Sequence, residues 1–176
     1  MYSYTLIRAR RKTMSLSVDE DETIVVRAPL SAAQTTIDAF VASHDAWIAR
    51  AIARRRAHHA AYPPLSEQQA ALLREQAKVV LPQKVAYFAD RMGLSPQGVQ
   101  ITAAQKRFGS CSQNGKLRFS YRLLRYPEAA VDYVVVHELA HLVHFNHSAA
   151  FYALIATILP DYRTRAAMLG ARLPKQ

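Results

Sequence analysis

The sequence has little of several features that mark large classes of protein. Only one cysteine, Cys111, occurs in 176 residues, which excludes an internal disulfide and suits a reducing compartment. No apolar run reaches the roughly 18 residues that a membrane span needs. The first residues also lack the apolar stretch of a signal peptide. We therefore expect a cytoplasmic protein that makes no membrane contact.

Acidic residues are also scarce. The chain has 13 Asp and Glu against 23 Lys and Arg, a formal net charge of +10. Basic clusters fall at Arg8–Lys12, at Arg50–Arg56 and between Lys106 and Arg125. A basic surface attracts phosphates, so nucleic acid or a nucleotide is one expected partner. The alternative is a solvated basic face, since no base-reading motif accompanies the charge.

What the sequence does contain is a globular pattern of strands followed by helices. Apolar residues make up 51% of the chain, which is typical of a folded domain. Over the first 28 residues polar and apolar residues alternate in short runs, a period that indicates strands. We interpret these runs as two or three antiparallel strands.

Two long helices are predicted next, over residues 32–60 and 66–92. The Pro63-Pro64 pair separates them, because neither proline fits a helix interior. Asn114-Gly115 then predicts a β-hairpin, and Pro127 with Glu128 suits the first turn of a further helix. The expected fold class is α+β.

The stretch HELAHLVHFNH, residues 137–147, lies on that further helix. His137 and His141 are four residues apart, so on a helix they share one face and can reach one ion. Glu138 can take a proton from a metal-bound water. Buried histidines satisfied by hydrogen bonds are the alternative, but such polar groups are costly inside an otherwise apolar helix.

A catalytic zinc site needs a third protein ligand and an open fourth position. We expect His147 to be that ligand, because a left-handed turn at Asn146 would end the helix and fold the chain back. Ser148 would then cap the next helix. His144 is the alternative ligand, although its position carries it round the helix away from the metal.

Several segments together resemble a known family. They are RFGSCS (107–112), VVVHELAHL (134–142), NHSAAFY (146–152) and, nearer the start, RRKTMSLSV and VRAP. These segments are similar to the YgjP-like family of bacterial metal-dependent hydrolases, related to the SprT and Spartan-type zinc proteases. One departure is Phe108, where the family usually has tryptophan.

The resemblance implies that His137, His141 and His147 bind the metal and that Glu138 is the general base. We divide the chain into a strand and helix region over 1–62 and a zincin-like metallopeptidase core over 63–176. We expect the two to form one compact unit. C-terminal helices would follow the metal-site helix.

We therefore expect a zinc metallopeptidase that holds one Zn²⁺ per chain and cleaves a peptide or protein substrate. Peptide would align along an edge strand, either residues 117–123 or the strand ahead of Gly109. One alternative is a metal-dependent nucleotide pyrophosphatase or phosphohydrolase. The other is a nucleic-acid-binding protein with a vestigial metal site. The sequence leaves the oligomeric state open.

Overall fold

The computed structural model describes residues 2–19, 21–105 and 107–170. Over these residues the fold is α+β, which confirms the predicted class. The strands are β1 (Thr5–Ala9), β2 (Ser15–Val18), β3 (Ile24–Pro29), β4 (Gly98–Thr102), β5 (Gly109–Cys111) and β6 (Lys116–Ser120). The helices are α1 (Gln34–Ser43), α2 (Asp45–Ala61), α3 (Glu67–Met92), α4 (Glu128–Ala140), α5 (Ala149–Ile158) and α6 (Tyr162–Ala167).

The chain divides into two compact units, Met1–Pro63 and Pro64–Gln176. The first unit holds β1 to β3 with α1 and α2, and the second holds the remaining strands and helices. That both regions pack as one body stays a prediction.

The sheet of the first unit has the strand order β1-β3-β2. The prediction that all its strands are antiparallel is wrong: β2 and β3 are antiparallel, but β1 and β3 are parallel. Burial explains why β1 lies beside β3 and not beside β2. Ile24, Val26 and Ala28 of β3 are buried, so β3 takes the centre of the sheet. The largely exposed β1 occupies the edge beside it.

The first predicted helix is interrupted. Instead of one helix over 32–60, α1 ends at Ser43 and α2 begins at Asp45. Ser43 Oγ donates to the Phe40 carbonyl at 2.8 Å, and His44 Nδ1 lies 2.7 Å from the same oxygen. Side chains that occupy a carbonyl of the last turn compete with continued helix, which accounts for the break.

The second predicted helix is confirmed as α3, and its ends have clear causes. Ser66 forms a capping box with Gln69 at the start, which satisfies backbone N–H groups of the first turn. Gly93 ends the helix in the left-handed conformation, with φ of 64°, where glycine has no Cβ penalty. This long helix packs against α4.

The sheet of the second unit has the order β4-β6-β5. Strands β5 and β6 form the predicted hairpin, and Gly115 in its turn has φ of 71°. Residues 117–120 therefore lie in the central strand, followed by a 3₁₀ turn over Tyr121–Arg125. They cannot supply the free edge proposed for peptide. The strand ahead of Gly109, the other predicted edge, is β4, and it does lie at one edge of this sheet. The strand β5 lies at the opposite edge and packs against α4.

Candidate metal centre

The helix α4 carries two polar residues into an apolar interior. It begins at Glu128, one residue later than predicted, with Pro127 as its N-cap, and most of its residues are buried. His137 is only 4% exposed and Glu138 only 7%. Burying a polar group without a partner is unfavourable, so the surroundings of these two side chains are informative.

His141 lies one turn beyond His137, directly after the last residue of α4. Its Nδ1 is 3.0 Å from the carbonyl oxygen of His144. A carbonyl only accepts hydrogen bonds, so Nδ1 must carry the proton and Nε2 keeps its lone pair. The backbone of His144 thus orients His141 as a ligand, the arrangement common around metal-bound histidines.

The chain after His141 turns differently from the prediction. Asn146 does not adopt a left-handed conformation: among the described non-glycine residues, Glu22 alone has a positive φ. Instead the backbone continues in tight turns, with Leu142 N–H donating to Leu139 and His144 N–H donating to Ala140. The chain therefore leaves α4 through turns with helix-like hydrogen bonds, without a left-handed residue at Asn146.

The start of α5 places His147 close to the first two histidines. Ser148 caps α5 as predicted, its Oγ accepting from the Phe151 N–H at 3.4 Å. His147 immediately precedes this cap and is exposed. Its Nε2 lies 3.2 Å from Nε2 of His137. The short connection therefore delivers an exposed histidine to a buried one.

One ring nitrogen from each of His137, His141 and His147 lies within 4.8 Å of the others. Nitrogens bound to one tetrahedral zinc at about 2.0–2.1 Å are about 3.3 Å apart. The 3.2 Å between the Nε2 atoms of His137 and His147 is close to that value. The donor set fits a divalent cation such as zinc, and the exposed position of His147 leaves one side open.

Burial keeps two of these rings neutral. It lowers the pKa of His137 to about 3, assisted by the nearby charges of His141 and His147. Burial also lowers the pKa of His141. A metal binds the neutral imidazole, so both rings are in the ligating form at neutral pH.

Glu138 lies against a glycine of the hairpin. A Cβ on Gly109 would meet Cγ of Glu138 at 2.6 Å and Oε1 at 2.7 Å, so any side chain there would displace the carboxylate. Burial raises the pKa of Glu138 to about 8, whereas a cation on the neighbouring histidines would favour its charged form. Burial and then the Glu138 charge raise the pKa of the Cys111 thiol, which argues against a nucleophilic cysteine.

Phe151 and Tyr133 contact the histidines in ways that sequence reasoning missed. Phe151 is fully buried, and its ring centroid lies 4.6–4.9 Å from those of the three histidines. Tyr133 Oη is 3.4 Å from Nδ1 of His137. Tyr133 stands four residues before His137 on the same helix, so spacing alone could have revealed that pair.

Asp132, five residues before His137 on α4, has its partners away from the histidines. Its carboxylate pairs with Lys84 at 2.7 Å and with Arg165 at 3.5 Å. It therefore links α4 to α3 and α6, away from the histidine rings. The side chain of His144 is likewise not in the histidine cluster found among the described residues.

Comparison with known proteins identifies the class of protein and then the family. A family model described as YgjP-like, metallopeptidase domain, matches residues 12–71 and 65–172. The chain is a metallopeptidase-like hydrolase, a class in which a divalent metal is expected. It belongs to the YgjP-like family.

A crystal structure of the metallopeptidase zymogen abylysin from Pyrococcus abyssi is similar in part. It shares 20% identity, with a TM-score of 0.47, over 51% of this chain and 91% of that one. The comparison with curated proteins found no match. None of the described helices has the length and apolar character of a membrane span.

Proposed function

We propose that this protein is a zinc-dependent metallopeptidase in which His137, His141 and His147 hold one zinc ion per chain. The observation that carries this proposal is the convergence of three histidine nitrogens within 4.8 Å, with Glu138 adjacent in the chain. The alternative of histidines satisfied within an apolar core fits less well, because His147 is exposed.

We assign Glu138 as the general base. A zinc ion held by His137, His141 and His147 would lower the pKa of a bound water and would polarise the scissile carbonyl. Glu138 accepts the proton of the attacking water and returns it to the leaving amine.

Peptide would align along β5 by strand addition. This strand lies at an edge of its sheet, so one side of its backbone is unpaired within the described residues. Added strands gain affinity from main-chain hydrogen bonds. Because Gly109 of β5 lies against Glu138, a peptide bound there would run past the general base.

The first test is metal content by elemental analysis of the tag-free protein. We expect about one zinc per wild-type chain, lost in His141→Ala and in His147→Ala. His144→Ala is the matched control and should retain zinc, because only its backbone carbonyl supports the site. Retention of zinc by His147→Ala, with loss in His144→Ala, would contradict the assignment of the third ligand.

The second test is hydrolysis of casein and of peptide libraries. Glu138→Gln should keep zinc but lose about two to four orders of magnitude in rate, the contribution typical of general acid–base catalysis. The same pair of proteins is assayed with nucleoside triphosphates. Phosphate release that disappears in Glu138→Gln, without any peptide cleavage, would replace this proposal with a phosphohydrolase.

A further inference from the structure

The sheet of the second unit has two different faces. Side chains alternate between the faces of a strand, and Gly109 and Cys111 of β5 share one face. That face also carries Leu117 and Phe119 of β6, both fully buried, and Gly109 on it meets Glu138. Ser110, the residue after Gly109, therefore projects to the opposite face.

A pocket of about 500 Å³ lies on that opposite face. Four side chains of the three strands form the floor of this pocket. Ser110 of β5 pairs with Arg118 of β6, and Thr102 of β4 pairs with Ser120 of β6, so all four lie on the same face of the sheet. Phe108, the residue before β5, also lines the pocket.

Described residues between β4 and β5, among them Ala104, Arg107 and Phe108, line the pocket, and hydrogen bonds fix two of them to the sheet. Ser120 Oγ donates to the Ala104 carbonyl at 2.7 Å, and Ser120 N–H donates to the Phe108 carbonyl at 2.8 Å. These bonds hold Ala104 at one end of the connection and Phe108 at the other. Arg107, which lines the pocket, lies in the chain between these two hydrogen-bonded residues.

The pocket is positively charged. Arg107 and Arg118 line it, and its lining includes no carboxylate. Arg118 Nε donates to Gln100 Oε1 at 3.1 Å, which orients the guanidinium. Neither arginine forms an ion pair with any described residue. The surrounding segment 93–127 contains six lysines or arginines and no Asp or Glu, so no carboxylate of that segment neutralises this charge.

A peptide added along β5 would place its side chains alternately on the two faces of the sheet. Residues on one face would lie towards Glu138, and their neighbours would lie towards the pocket. We propose that this pocket is a specificity site for a carboxylate of the peptide substrate, bound by Arg107 and Arg118. The carboxylate comes from an acidic side chain or from the substrate's C-terminus. This inference rests on the proposed peptidase function.

Peptide is favoured over nucleic acid as the occupant because of where the charge lies. The two guanidinium groups line one recess beside the edge strand, and Phe108 and Ala104 add apolar surface to it. A nucleic-acid backbone is held by repeated phosphate contacts along an extended track. A single carboxylate needs only one recess and bidentate donors, which arginine provides.

The test measures binding and cleavage separately. Blocked heptapeptides carry one Glu at each position in turn, and a matched set carries Gln. A third set has Gln and a free C-terminal carboxylate. Binding is measured by fluorescence anisotropy on the full, zinc-loaded chain carrying Glu138→Gln, so that peptides stay intact. We expect about tenfold tighter binding for Glu at one position, or for the free terminus, typical of charge-assisted hydrogen bonds.

Arg107→Gln and Arg118→Gln, each added to that protein, should abolish the preference. Lys116→Gln is the matched control, because it removes the same charge from the same face of β6 without touching the pocket. It should leave the preference intact. Preference for Glu alone identifies a side chain as the source, and preference for the free terminus alone identifies the C-terminus.

Equal binding of all peptide sets would overturn the proposal, as would equal weakening by Lys116→Gln. A single-stranded oligonucleotide that binds through both arginines, with no discrimination among peptides, would reassign the pocket to phosphate. The two proposals fail separately. If the wild type cleaves peptides without a carboxylate preference, the specificity site is rejected and the peptidase function is kept. If peptides bind with a carboxylate preference but are not cleaved, the peptidase function is rejected and the pocket remains a carboxylate-binding site.

Discussion

The two sheets of this protein share one pairing pattern. In each, the first and third strands are parallel and the second and third form an antiparallel pair, which gives the orders β1-β3-β2 and β4-β6-β5. In the second sheet, Gly109 of β5 lies directly against the Glu138 side chain, the residue next to the first histidine of the cluster. The strand pattern therefore does not decide function, which depends on the side chains placed against it.

The difference lies in what each sheet packs against. Behind the first sheet the buried cluster is apolar, with Val26 and Ala28 against Ile37, Val41 and Ile48. Beside the second sheet, α4 presents a buried carboxylate, and β5 provides space for it through the missing side chain of Gly109. The missing side chain of Gly109 is therefore what allows the second sheet to approach the proposed general base closely.

Among the variants that test this comparison of the two sheets, the largest effect is expected from filling the space at Gly109. Gly109→Ala would place a methyl group 2.6 Å from Glu138 Cγ, so the carboxylate must move. Misplacing a catalytic group by about 1 Å can lower the rate about 100-fold. We expect peptide hydrolysis to fall by about that factor while zinc content is retained.

The counterpart in the first sheet is Ser17→Ala, in the strand β2 that pairs with β3 as β5 pairs with β6. This substitution removes only long hydrogen bonds of 3.4 Å and should leave the rate unchanged. If Gly109→Ala keeps full activity, the close approach of hairpin and carboxylate has no role in the reaction.

A smaller effect is expected from the tyrosine beside His137. Tyr133→Phe removes the hydroxyl that lies 3.4 Å from Nδ1 of His137. Groups that hydrogen-bond to a metal-binding histidine typically contribute about 10-fold to 100-fold in metal affinity. Because the contact is long, we expect about 10-fold, measured by zinc competition with a chelator.

The control is Tyr121→Phe. Tyr121 is also buried, but its hydroxyl accepts from Arg122 and not from a histidine. Zinc affinity should not change in this variant. Equal losses in the two variants would mean that tyrosine removal disturbs the unit in general and that Tyr133 does not orient His137.

Local sequence patterns predicted the helices more closely than the sheets. The capping residues Ser66 and Ser148 and the proline before Glu128 fix helix ends through neighbours in the chain, so their positions could be predicted. The four-residue spacing of His137 and His141 places their rings 4.9 Å apart. Strand order is different, because β3 takes the centre through burial against distant residues.

The contact of Gly109 with Glu138 could not be predicted for the same reason. The two residues are separated by 28 others, and no periodicity links a hairpin residue to a helix residue. The break at His44 was missed because the side chains of Ser43 and His44 compete for one carbonyl. Hydropathy patterns do not record that competition.

The smallest expected effect concerns the ion pairs of the two units. Lys84 of α3 contacts both Glu128 and Asp132 of α4 at 2.7 Å. Burial alone would lower the pKa of Lys84, but the hydrogen bonds with Asp132 and Glu128 outweigh it and raise that pKa. Lys84→Met should lower the free energy of unfolding by about 1 to 2 kcal/mol, because Asp132 keeps only a distant partner.

The matched variant in the first unit is Arg56→Gln, which breaks the Arg56–Glu22 pair. That pair is also short, at 2.9 Å, but the Arg56 side chain is 70% exposed. Exposed pairs contribute little because water and salt screen them, so the urea midpoint should not move measurably. A loss in Arg56→Gln as large as in Lys84→Met would show that burial does not set the difference. Unequal losses would mean that the second unit gains stability from polar contacts between helices, around the same α4 that carries His137 and Glu138.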